Sequence, residues 1–423
     1  MKSKIDETRL PNGLVVLTDR MPGVRSATLG FFFRTGARHE PAELHGISHF
    51  IEHTVFKGTR RRTALDIAIE QDRLGGNLDA FTTHEETGFA IKVIDDQLPR
   101  AFDLIADMLA NPLFAEADLK SEQRVIIEEM KMIEDSPEDY LGEIFNEGFF
   151  PGHPLGMSIA GTPKTVRSFN HDVTQKYHDK VFNASNLVIA TAGNVEHERI
   201  LELANSAFPS PQAAIADKSV RAPTLAAPIL IKQNKNLEQA HLVIATPLVS
   251  ATDERHYAAD VLANIIGGGT SSRLWQKVRE ERGLAYSVGA SAMSYQDCGM
   301  FSIFAATSPE QVAEVVDLSI AEMSNIVRDG VTEDELELAK QQAVASILLS
   351  LEDSAARAAT LAQSEMTHDR QISVEETLAK LDAVTVGEIQ NIAREFFVTE
   401  NVAFAALGDL NRLEISRDRL VIS

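Results

Sequence analysis

The stretch HGISHFIEHTVFKG (45–58) sets His49, Glu52 and His53 close together among apolar neighbours that otherwise read as a buried helix. On a helix, side chains four apart project from one face. His49 and His53 can therefore reach a single ion, and Glu52 lies beside them within reach of a water held there. Two imidazoles at this spacing suit zinc, and a carboxylate next to a water at a metal is the residue type that accepts a proton in hydrolysis. The competing reading is a helix whose histidines are satisfied in a core or exposed at a surface.

A zinc centre that does chemistry usually takes three protein ligands and leaves one position open. In EADLKSEQRVIIEEMKMIEDSPE (116–138), Leu119, Glu122, Ile126, Glu129 and Ile133 recur at alternating spacings of three and four, which is one stripe of one helix. Two carboxylates thus occupy a face that should be buried. An unpaired charge there is costly or changes its protonation, so a cation must lie against it. Glu129 is assigned as the third ligand and Glu122, two turns earlier, as the group that orients a histidine. Glu128, about 100° round the helix, faces solvent. A helix–helix contact with ion pairs to Lys or Arg is the alternative for this stripe.

These side chains need a scaffold. GLVVLTD (13–19) and SATLGFFFR (26–34) read as strands and TALDIAIEQDRL (63–74) as a helix closed by Gly75 and Gly76. NLDAFTT (77–83) and TGFAIKV (87–93) form a hairpin across His84 to Glu86. The pattern also repeats: aligning FNASNLVIATAGNV (182–195) with FVTENVAFAALGDL (397–410) matches Phe182 with Phe397, Asn186 with Asn401 and Gly193 with Gly408. The fold class expected is α+β, with two homologous two-layer domains, each an antiparallel-rich sheet covered by helices on one face. A Pro- and Ala-rich stretch separates them, giving domains at 1–212 and 229–423 and a linker at 213–228. At the place of the metal helix the second copy has HYAADVLANIIGG (256–268), with no HxxEH.

A net charge of -22 over 423 residues argues against nucleic acid or an anionic membrane as partner and would favour cationic ligands. The one cysteine, Cys298, excludes an intramolecular disulfide framework. The N-terminal MKSKIDETRLPNGL has neither the apolar stretch of a signal peptide nor the character of a transit sequence, and no run of 18 apolar residues occurs. A soluble protein of the bacterial cytoplasm is expected.

At the residues singled out, the sequence resembles the pitrilysin or insulinase family of metallopeptidases, the zinc peptidases with the inverted HxxEH motif. Its nearest likeness is to the subgroup of the mitochondrial processing peptidase and its bacterial relatives. The likeness spans nearly the whole chain, through GISHFIEHTVFKGT (46–59), RVIIEEMKMIEDSPEDY (124–140) and GGGTSSRLWQKVREERGLAYSV (267–288). It implies one zinc held by His49, His53 and Glu129, Glu52 as general base toward the water at the metal, and Glu122 as supporting acid. It implies further that Arg279 and Tyr286 contact the substrate carbonyl and the developing oxyanion. Asn77, Ala80, Phe81 and Thr82 would lie on a substrate-binding edge strand, where Asp79 departs from the family's frequent Asn. Apart from the resemblance, NLDAFTT reads equally well as an ordinary sheet strand, and Arg279 and Tyr286 as surface and core residues.

In larger family members four such domains form a clamshell, so a chain of this length supplies half of one. The resemblance thus implies a dimer, of two identical chains or of this chain with a paralogue, the homodimer being expected, with Arg279 and Tyr286 given in trans and extended or unfolded peptides, preferably basic, as substrates. GGGTSS admits a phosphate-binding reading, against which the lack of the P-loop Lys-Ser/Thr ending argues. The rival functions are a catalytically silent scaffold or partner subunit of a processing-peptidase-like complex, and a zinc hydrolase of non-peptide bonds.

Overall fold

In a computed structural model that describes residues 5–209 and 221–423, the apolar alternations become eleven strands. They are β1 (Ile5–Arg9), β2 (Val15–Arg20), β3 (Ser26–Phe33), β4 (Leu78–Thr82), β5 (Thr87–Ile94), β6 (Leu187–Gly193), β7 (Ile229–Gln233), β8 (Ala240–Leu248), β9 (Ala285–Ser294), β10 (Gly299–Thr307) and β11 (Ala403–Gly408). One sheet runs β1-β2-β6-β3-β5-β4 and the other β7-β11-β8-β10-β9. With β1 set aside the two are the same pattern. A parallel pair (β2 with β6, β7 with β11) is followed by three antiparallel pairings. The duplication read from Gly193 and Gly408 therefore extends to the strand order.

The described chain divides into two compact units. Unit 1 comprises residues 5–131, 158–209, 221 and 348–371, and unit 2 comprises Met132–Met157, Ala222–Ile347 and Ile372–Ser423. Two segments thus leave the halves expected at 1–212 and 229–423. Part of the expected linker, 213–220, lies outside the described residues.

The reason for the exchange is legible in β2. Leu14 and Val16 face one way, Val15 and Leu17 the other, and all four are buried. A strand with apolar residues at both parities needs cover on both faces. In unit 1 the main helix layer includes α1 (Ile47–Thr54), α2 (Ala64–Leu74), α3 (Leu98–Ala110) and α4 (Glu116–Asp135), packed with Leu14, Val16, Phe31 and Phe33. To this the structure adds a helix from late in the chain, Ser354–His368, whose Leu361 and Ala362 cover Val15, Leu17, Phe32 and Val188 on the other face. Ions fasten it: Arg9 and Arg34 converge on the buried Glu365, and Arg357 meets Asp19 at 2.7 Å.

Unit 2 repeats the device. α5 (Pro137–Phe149) brings Leu141, Phe145 and Phe149 onto Ala245, Met300, Ala403 and Ala405, where Cys298 is also buried, outside any disulfide. Each such Phe contributes about 1.5–3 kcal/mol by burial.

Candidate metal centre

The helix that carries the two histidines starts under unusual control. Gly46 adopts φ +93, and a Cβ there would come within 2.6 Å of the Ala160 carbonyl oxygen, so only glycine fits. The N–H groups of Gly46 and Ser48 donate to the buried carboxylate of Glu40 at 2.6 and 2.7 Å. A fixed anion thereby caps the helix N-terminus and complements its dipole. Ile47, Phe50, Ile51 and Thr54 then anchor α1 in the core, with Phe50 against Phe169 at 5.2 Å. His49, Glu52 and His53 are left toward α4 and β4.

On α4, Leu119, Glu122 and Ile126 are buried as the stripe requires, Glu129 is half-exposed, and Glu128 points out to Lys131. Glu129 Oε2 stands 3.5 Å from His53 Nε2 and 4.0 Å from His49 Nε2, with the imidazole centroids 4.6 Å apart. Ligating atoms of His49, His53 and Glu129 all lie within 4.8 Å of one another. His53 Nδ1 donates to Glu122 Oε2 at 3.3 Å, which turns Nε2, as an acceptor, toward Glu129. Lys57, one turn beyond His53, holds the other oxygen of Glu122 at 2.8 Å. His49 Nδ1 is buried without a hydrogen-bond partner among the described residues.

β4 is the edge of its sheet. Its register sets Leu78, Ala80 and Thr82 on the helix-covered face, and Thr82 donates its hydroxyl to Glu52 Oε2 at 2.7 Å. Phe81 lies on the opposite face beside Phe32, at 6.4 Å between ring centroids, and Asn77 donates to Asp79 at 2.6 Å. Of the four residues expected to bind substrate along this strand, Thr82 alone is hydrogen-bonded to the metal-site residues.

Electrostatics fit a divalent ion. Burial, and then His53, lowers His49 to about 4, so it is a neutral donor at pH 7, as a ligand must be. Burial raises Glu52, opposed by the Thr82 hydroxyl and His53. Burial would lower His53, but its bond to Glu122 and the nearby carboxylates raise it instead; Glu122 itself is held low by His53 and Lys57 against its own burial. The carboxyl groups of Glu52, Glu122 and Glu129 converge here, and Lys57 is the one Lys or Arg paired with them among the described residues. A His, His, Glu donor set suits zinc.

Arg279 and Tyr286 belong to unit 2 and meet each other, the guanidinium lying 4.6 Å from the phenol ring centroid. Arg279 sits on a π-helical turn, Trp275–Glu280, a geometry common at functional sites. Tyr286 falls where the pairing of β9 with β10 shifts, between Ala285 opposite Thr307 and Ser287 opposite Ala306, and this bulge leaves its ring 78 % exposed.

Sequence reasoning missed Glu40, Lys57 and the hold of Thr82 on Glu52. Lys57 was findable, since it continues the i, i+4 series of His49 and His53. Glu40 was not, because its partners are backbone groups.

Residues 15–163 match the model of the insulinase family, peptidase family M16, and residues 168–343 match that of the peptidase M16 inactive domain. The chain is 36 % identical to an uncharacterized zinc protease of Streptomyces coelicolor over 98 % of its own length and 91 % of that protein. It is also 36 % identical to one of Bacillus subtilis, over 94 % and 96 %. A solved protease from Helicobacter pylori shares the fold with a TM-score of 0.88 at 22 % identity, covering 96 % of this chain and 99 % of that one. A peptidase M16 inactive domain from Pseudomonas fluorescens gives 0.87 at 20 %, covering 96 % and 98 %.

Proposed function

The chain belongs to the insulinase family, peptidase family M16, and from that premise we propose that it is a zinc-dependent endopeptidase acting on extended or unfolded peptides. The observation that carries this reading is the convergence of His49, His53 and Glu129 beside Glu52, with Lys57 the one Lys or Arg paired to these carboxyl groups and Glu122 among the described residues. His49, His53 and Glu129 would hold the ion. Bound zinc would supply Lewis acidity that polarises a scissile carbonyl and acidifies water toward a pKa of about 7.

The chain's own residues do the rest. Glu52, raised by burial and oriented by Thr82, takes the proton from the attacking water and returns it to the leaving amine. The free edge of β4 binds substrate main chain as an added strand, which gives affinity with little sequence preference. Arg279 and Tyr286 stabilise the oxygen on which charge develops. They serve the metal of a second copy, so activity depends on assembly and hence on concentration. Basic peptides are favoured by the net charge of -22. A bacterial cytoplasmic location belongs to the same reading, and no helix among the described residues is long and apolar enough to cross a membrane.

The silent-scaffold reading gains nothing from the inactive-domain match, which begins at residue 168, beyond every residue of the metal centre. The test compares the wild-type chain with Glu52→Gln for metal content, mass in solution and digestion of a peptide mixture. Retained zinc and dimer with hydrolysis abolished is the expected result; equal digestion by both would remove Glu52 from its role.

A further inference from the structure

Arg279 is held in an arrangement that its assigned task alone does not explain. The guanidinium carbon lies 4.1 Å from the ring centroid of Trp275 and 4.6 Å from that of Tyr286. Its ion-pair contact among the described residues is weak, with Nε 3.8 Å from Glu280, and its side chain is 29 % exposed. The ring of Trp275 is itself fixed by a hydrogen bond from Nε1 to Glu280 Oε1 at 3.1 Å.

The donors of a guanidinium lie in its plane, whereas aromatic rings attract its faces. A guanidinium held by aromatic rings, with no carboxylate closer than Glu280 at 3.8 Å among the described residues, keeps N–H donors for a carbonyl or carboxylate. A carboxylate partner would have held the same charge by occupying those donors. Trp275 and Arg279 are four apart on one turn, so the stack is built into local geometry, while Tyr286 comes from β9.

We infer that Trp275 is a positioning residue, which stacks on Arg279 and presents its donor edge to a peptide carbonyl or carboxylate. The inference rests on the endopeptidase reading for the step at which Arg279 acts. Because the chain has a single tryptophan, occupancy of Arg279 is also readable directly, as a change in Trp275 emission.

The experiment uses the zinc-loaded full chain and an unstructured peptide of about 20 residues. Trp275→Leu should lower kcat about tenfold with little change in KM, less than the roughly 10²–10³ that follows outright removal of an oxyanion donor. Trp275→Phe, which keeps the stack, should restore kcat to within about twofold. Adding Trp275→Leu to Arg279→Lys should cost nothing further, since both act through one group. Titrating the peptide into Glu52→Gln should shift Trp275 emission saturably, and Arg279→Lys should abolish the shift. Wild-type kcat in Trp275→Leu, or effects of the two substitutions that multiply, would overturn the inference while leaving the endopeptidase reading intact. If the wild-type chain cleaves nothing, that reading fails; the titration then decides alone, with an unchanged emission counting against Trp275.

Discussion

The two units share a strand order but join the same pair of helices by different means. In unit 1, α1 meets α4 through His53 and Lys57 on Glu122, with Glu129 and Glu52 paired to no Lys or Arg among the described residues. In unit 2, the helix His256–Gly267 has Asp260, Ala263 and Asn264 at the spacing of His49, Glu52 and His53, while Val261, Leu262, Ile265 and Ile266 fill the core. The segment after it is tied to the helix Glu333–Ser350 by Arg273, which meets both oxygens of Glu335 at 2.7 and 2.8 Å, and Lys277 pairs with Glu322. A tethered guanidinium closes the charge balance and leaves nothing to exchange. A carboxylate set with fewer such partners can take an ion from solution, and an ion with protein on one side keeps a coordination position for chemistry. One fold thus yields a copy whose carboxylates are paired by Arg and Lys and a copy whose carboxylates face two imidazoles.

The comparison can be broken first at Glu52. Glu52→Gln should lower peptide hydrolysis by about 10²–10⁴ without loss of zinc, a general-base effect confined to unit 1. Next, Glu122→Gln should weaken zinc binding about 10–100-fold, measured by competition with a chelator, because His53 loses the carboxylate that fixes its tautomer. Lys57→Met should act in the same direction and less.

In unit 2 the matching change, Arg273→Met, should leave zinc content untouched and destabilise the fold by about 1.5 kcal/mol, the scale of a charged hydrogen bond. Its pH dependence has a definite sign. Arg273 holds the Glu335 carboxyl down at about 2, from 4.5. A depressed carboxyl stabilises the fold above its unfolded value and ceases to do so as pH falls through its folded one. The gap between wild type and Arg273→Met in urea unfolding should therefore be constant above pH 4.5 and shrink toward pH 2. The smallest effect sharpens the contrast: Asp260→His with Asn264→His should add no zinc per chain, since the buried residues of the helix Glu333–Ser350 are Leu336 and Ala339, neither of which can ligate a metal. A second bound ion would show that spacing on one helix suffices.

Much of the site in unit 1 was legible because it violates patterning. Carboxylates at Glu122 and Glu129 on an apolar stripe, opposite two imidazoles, leave few physical solutions, and the stripe separated Glu129 from its neighbour Glu128. The hairpin of β4 with β5 was legible from alternation, and the duplication from the Gly193 and Gly408 repeat, whereas the parallel pairs of β2 with β6 and β7 with β11 were not. What escaped involves partners remote in sequence or made of backbone. Glu40 caps α1 through amides, and Ser354–His368 covers a sheet built from residues some 160 or more positions earlier. The bulge that exposes Tyr286 depends on the pairing of β9 with β10, which residue types alone do not fix.

Zinc content of the purified chain and of its Glu129→Ala variant, after dialysis against a moderate chelator, tests the central claim most directly. One zinc per wild-type chain, lost from the variant, is the predicted result. A wild-type chain without zinc, or a variant that keeps it as firmly, would contradict the proposal that α1 and α4 together form the centre.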